Sequence, residues 1–167
     1  MKLIRIVATL IVAYLAGGAF AQPLTAADTV DQHEKVSLLF SAYTHHYSYD
    51  AEHKNVLMLG MEREHLDGWV DGISVFRNSF GQPSIYVYPF GGVYQDIGGI
   101  TGLSFKWSAG LIYGYVGSYQ SKVPLNYKGV SPGLVPALAY EFIPGWSAQV
   151  DVLGTAGLMF QLNVALN

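Results

Sequence analysis

The sequence predicts an all-β protein, an eight-stranded, antiparallel, up-and-down transmembrane β-barrel, and three observations predict it. The 167 residues are 51% apolar and 14% aromatic but only 13% charged, with 19 glycines. Residues 1–21 carry the pattern of a cleaved export signal. Lys2 and Arg5 form a basic start, an apolar run extends from Ile6 to about Leu15, and Ala19-Phe20-Ala21 is a small-x-small site. Beyond residue 21 no segment reaches the roughly 20 uninterrupted apolar residues of a spanning helix. An exported chain this apolar is therefore expected to cross a membrane with strands.

The elements follow in order. Residues 22–36 (QPLTAADTVDQHEKV) are polar and read as a lead-in segment, with the barrel over 37–167. Eight strands are expected near 37–48, 55–64, 68–78, 84–94, 103–117, 133–142, 145–153 and 157–166. The turn-forming stretches DAEHK, HLDG, GQP, QDIGGIT, SYQSKVPLNYKGVSP, IPG and LGTAG separate them. The fifth strand sets Leu103, Phe105, Trp107, Ala109, Leu111, Tyr113 and Tyr115 against Ser104, Lys106, Ser108, Gly110, Ile112 and Gly114. The seventh sets Trp146, Ala148, Val150 and Val152 against Ser147, Gln149 and Asp151. The eighth sets Leu158, Phe160, Leu162, Val164 and Leu166 against Met159, Gln161, Asn163 and Ala165. Large apolar residues alternate with small or polar ones at the strand period of two, as lipid outside and a narrow lumen inside require. A β-sandwich gives the same period with the faces reversed. Strands of about ten residues with Trp and Tyr near their ends favour the barrel. With both termini in the periplasm, the loops near 49–54, 79–83, 118–132 and 153–156 face the exterior.

Charge and cysteine usage narrow the partners. Removing residues 1–21 takes away two of nine basic residues and none of the 12 acidic ones, which leaves a net charge of −5 over 146 residues. Nucleic acid is not an expected partner of such a chain. The sequence has no cysteine, so neither disulfides nor a thiolate metal site supports the fold. A monomer in the bacterial outer membrane is expected, without cofactor.

Candidate chemistry gathers at one rim. His45 and His46 lie near the outer end of the first strand, and Asn78 and Ser79 near the outer end of the third. A histidine can take a hydroxyl proton near neutral pH, and an amide or acid can orient its ring. The plain alternative is that Ser79 is turn chemistry beside Gly81 and Pro83, and that the histidines are loop residues. Neighbouring strand residues point to opposite faces, so which of His45 and His46 enters the lumen is open. His53 with His45 and His46 shows no ordered ligand spacing, and no metal is expected. Pro136 inside VPALAYEF and Pro144 after it would weaken lateral pairing, either as stiffened loop ends or as a lateral gate for a lipid chain.

Together VFRNSF, THHYSYD and the downstream prolines resemble the PagP family, outer-membrane lipid A palmitoyltransferases. The family's third strand ends in an aromatic, basic, Asp, Ser, aromatic run, matched by Phe76-Arg77-Asn78-Ser79-Phe80. Its catalytic histidine precedes an aromatic-x-Tyr-Asp run, matched by His45 or His46 before Tyr47-Ser48-Tyr49-Asp50. Pro136-Ala137-Leu138-Ala139 and Pro144-Gly145 match in order, so the resemblance spans about 40–166. It implies an eight-stranded barrel that moves an acyl chain from a phospholipid donor to lipid A as acceptor. His45 or His46 and Ser79 would be central, with Asn78 orienting in place of the family's aspartate. The glycine that floors the family's acyl pocket falls near Tyr88 or Phe90, so Tyr86, Tyr88 and Phe90 would bound a short or filled cavity. A second reading is a non-catalytic outer-membrane barrel of the same architecture, structural, adhesive or ligand-binding.

Overall fold

A computed structural model of the chain describes residues 34–167, so the expected signal over 1–21 and most of the lead-in lie outside the described residues. The described chain is a closed antiparallel barrel in sequence order. Its strands are β1 (Lys35–His46), β2 (Leu57–Glu64), β3 (Val70–Arg77), β4 (Pro83–Tyr94), β5 (Leu103–Tyr113), β6 (Val130–Ile143), β7 (Trp146–Val152) and β8 (Gly157–Ala165). All eight expected strands form, and β1 closes on β8 from Ser37↔Ala165 to His46↔Gly157. β1 starts at Lys35, two residues before the expected barrel boundary.

Alternation decides which side chains fill the lumen. Phe40, Leu59, Leu111, Leu138 and Phe160 are exposed on the outside. Inside, Ser37, Ser41, Ser74, Ser84 and Ser104 are buried, with Leu39, Met58 and Met159 between them. Seven-residue β7 joins β6 through Pro144-Gly145, where Gly145 has φ 79°. A proline followed by a positive-φ glycine is what a tight turn asks for.

The connections lie at two ends. The turns after β2, β4 and β6, together with residue 34 and the C-terminus, lie at one, the turn end. The loops 47–56, 78–82, 114–129 and 153–156 lie at the other, the loop end. At the turn end His65 is held between Glu34 (2.8 Å) and Asp71 (2.6 Å), next to the Arg63–Asp71 pair.

Two elements depart from expectation. β5 stops at Tyr113, because Gly114 takes φ 138° and its N–H bonds Gly129, which closes the long loop. A side chain at 114 would run into Ser84, so the strand ends where only glycine fits. Tyr115 therefore leaves the outer face and turns to the lumen. β6 begins at Val130, three residues earlier than expected, and passes through Pro132 and Pro136. Its pairing with β7 starts only at Ala137↔Asp151, so 130–136 has β5 as its one strand neighbour. A missing N–H is tolerated on a stretch paired along a single edge.

Candidate functional site

The lumen opens at the loop end into a cavity of about 510 Å³. Its upper wall is an apolar collar of Leu39, Met58, Phe76, Leu153 and Met159. Tyr86, Ile112 and Val135 continue it downward, and Tyr88 (3% exposed) closes it below. The tyrosine rings stack at 4.9 Å. Tyr86 bonds Ser108 (3.1 Å), and Tyr88 donates to Glu62 (3.1 Å). Both line the cavity.

Phe90 does not. It is 54% exposed and packs edge-on against Trp69 at 5.9 Å on the outside. The cause is a β-bulge. The β4–β5 register jumps from Val87↔Leu111 to Phe90↔Ala109, so Tyr88 and Pro89 together oppose Gly110. The extra residue reverses the parity of everything after it. Trp69 Nε1 donates to the Pro89 carbonyl (3.2 Å), which satisfies an acceptor left at the bulge.

At the mouth, parity separates the two histidines. His45 is exposed on the outside with its ring near Tyr47, whereas His46 faces the lumen. The His46 ring lines the cavity beside the Ala156 backbone, and its Nε2 is buried without a hydrogen-bond partner. The His53 ring lies 4.0 Å from His46 and 5.4 Å from Phe80, and Phe80 stacks on Tyr119 at 4.5 Å. Lys122 Nζ sits 5.0 Å over Phe80 and pairs with Asp50 at 3.0 Å. The backbone N–H of Glu52, and then Lys122, hold the Asp50 carboxyl below its usual range.

Ser79 is buried and lines the same cavity beside the Tyr115 phenol, and among the described residues no hydrogen bond joins its hydroxyl to a histidine. Burial pushes the Tyr115 phenol up, so it remains a donor at neutral pH. Asn78, 0% exposed, is spent on the hairpin. Its Oδ1 accepts from the backbone of Phe80 and Gln82 (both 3.0 Å), and its Nδ2 donates to Ser84 (3.1 Å) and Gly114 (3.4 Å). It orients the 78–82 turn and not a histidine. An aspartate there would lose both side-chain donations and face the Gly114 carbonyl with negative charge. We expect Asn78→Asp to destabilise the barrel by about 1–3 kcal/mol, read by urea unfolding in detergent, and to bring no gain in activity.

The prolines stand apart. Pro136 is the last residue of β6 before its pairing with β7 begins, and Pro132 to Val135 all line the cavity. Leu134 is 65% exposed on the outside, and on its β7 side this stretch has no strand pairing. A second seam separates β1 from β2 above Ser41↔Met58. Pro144 belongs instead to the β6–β7 turn at the far end, too distant to gate this opening.

His53, Tyr115, Lys122 and Asp50 complete the mouth beyond the residues expected from sequence. Tyr115 had been placed outside, and only the glycine flanking it in YGYVG signals the break in parity. The matches that would name a relative are missing: no protein-family model and no curated protein matches this sequence. Fold and site define the class as a small closed β-barrel with an apolar lumen cavity, a histidine-bearing polar mouth and lateral seams.

Proposed function

We propose that the chain is an outer-membrane acyltransferase-like barrel that moves an acyl chain from a phospholipid to lipid A. The observation that carries this reading is His46, which lines the cavity together with apolar side chains and whose buried Nε2 has no hydrogen-bond partner. The outer belt of Leu38, Phe40, Leu59, Leu111, Leu134, Leu138 and Phe160 supports a lipid environment, as do the exposed Trp69, Tyr94, Tyr140 and Trp146 near the turn end. A donor chain enters through the β6–β7 seam and lies against Met58, Phe76 and Met159, with its ester at the mouth. Nε2 takes the proton of the acceptor hydroxyl, and the alkoxide oxygen attacks the ester carbonyl. The Ser79 and Tyr115 hydroxyls are the nearby donors for the oxyanion that forms. Collapse expels the lysophospholipid oxygen, which takes the proton back from the imidazolium. Mass spectrometry of lipid A from cells with and without the gene tests this. One added acyl chain is expected, and an unchanged pattern rejects the proposal.

One observation favours the second reading, a non-catalytic barrel that binds an amphiphile. Asn78 and Ser79 are both engaged within the loop end itself. Purified protein that binds a phospholipid but releases no lysophospholipid would select it.

A further inference from the structure

A second, smaller cavity of about 40 Å³ enters the lumen from the turn end, lined by Lys35, Ser37, Glu64, Ser104 and Glu141 among others. Glu62 lines both cavities. The partition between them is one layer of polar side chains. On one side the Glu62 carboxylate pairs with Lys106 and accepts from Tyr88. On the other, Asn163 donates to Gln149 (2.8 Å), and Gln149 donates to Asp151 (2.6 Å). Lys106 and Asn163 line the turn-end cavity, while Tyr88, Gln149 and Asp151 line the loop-end one. The inward positions of β2 and β3 around this layer are Gly60, Gly72 and Ser74, and β6 offers Ala137 and Ala139. Tyr88 and Gln149 supply the bulk of the layer, and Glu62 from β2 and Lys106 from β5 reach across it to each other.

A layer serving only as a plug has no need of charge. Replacing a buried ion pair by apolar residues of similar volume is often neutral or stabilising. An ion pair bordered by cavities has another property: both groups line the turn-end cavity, and Glu62 the loop-end one as well, so each can meet water when the pair opens. Separation therefore costs far less than it would inside a dry core. We propose that the barrel is a gated pore. Glu62–Lys106 is its latch, and its opening joins the two cavities into a continuous polar path for water and small ions. This function goes beyond acyl transfer and does not require it, resting only on the membrane-spanning reading.

The test is ion conductance of the full chain in planar phosphatidylcholine bilayers bathed in potassium chloride. Wild type is expected to stay mostly closed. Lys106→Ala and Glu62→Ala should raise the mean conductance about tenfold or more, the gain in open population that follows the loss of roughly 1.4 kcal/mol of latch energy. The exchanged pair, Glu62→Lys with Lys106→Glu, should return conductance toward the wild-type level. Should the alanine variants not fold, Glu62→Gln keeps the shape and the Tyr88 bond while removing the charge, and it should open the pore in the same direction. Folded, inserted variants that conduct like wild type overturn the latch. An exchanged pair as leaky as the single variants overturns it too. Wild type that never inserts overturns the membrane reading and this inference together, whereas insertion without any change in conductance overturns this inference alone.

Discussion

Replacing His46 by Asn should lower the proposed acyl transfer by about 10²–10⁴-fold, the usual worth of a positioned general base. The substitution keeps a polar group of similar reach at the end of β1, so the strand and its pairing with Gly157 should survive. What it removes is the imidazole base, whose buried Nε2 has no hydrogen-bond partner in a ring that lines the cavity. Transfer from a radiolabelled phospholipid to lipid A in detergent micelles, followed by thin-layer chromatography, gives the rate. His45→Asn is the matched control: one residue away, outside the barrel, and expected to change nothing. Equal losses at both positions would mean that the end of β1 acts through structure. Full activity in His46→Asn would remove the base from the mechanism. Lysophospholipid release, measured alongside, separates lost chemistry from lost binding, because a variant that still binds the donor leaves the Michaelis constant in place while the turnover falls.

How far the sequence discloses this arrangement depends on whether strand parity is kept. In β7 and β8 one face is apolar (Ala148 its one small residue) and the other small or polar apart from Met159. Trp146 and Phe160 were therefore legible as outward, and Gln149, Asp151 and Asn163 as inward. Parity failed at single extra residues. Tyr86, Tyr88 and Phe90 look equivalent by spacing, yet the bulge at Tyr88-Pro89 sends Phe90 outside. The proline inside YVYPF was the visible mark, because a strand interior tolerates it only at an edge or a bulge. Tyr115 changed sides for a similar reason, one glycine beyond the end of β5. His45 and His46 could not be told apart by pattern, since the first strand carries no clean alternation of polarity near its end. Asn78 was legible as a turn residue and as a catalytic neighbour alike. Its four hydrogen bonds within the loop end decide for the turn.

The bulge also yields the largest expected effect on stability. Gly110 lies opposite Tyr88 and Pro89, where two residues of β4 crowd one residue of β5. A Cβ at 110 would overlap the Val87 carbonyl oxygen and come within 2.5 Å of Tyr88 Cα and 2.7 Å of the Val87 carbonyl carbon. These are backbone atoms tied into the β3–β4 and β4–β5 ladders, so no rotamer change relieves the overlap. Either the bulge is expelled or the ladder separates. Expelling it would shift the register of β4 by one residue and exchange its two faces. Residues beyond the bulge, such as Phe90, would then be forced toward a lumen already filled by Tyr86 and Tyr88. Gly110→Val should therefore cost about 3 kcal/mol or more, at the upper end for overpacking, measured by urea unfolding in lipid vesicles through tryptophan fluorescence. Pro89→Ala should cost far less, because it leaves the extra residue and the Trp69 contact with the carbonyl in place. A Gly110→Val barrel as stable as wild type would show that β4 and β5 do not meet through this bulge, and Phe90 would lose its reason to face outward.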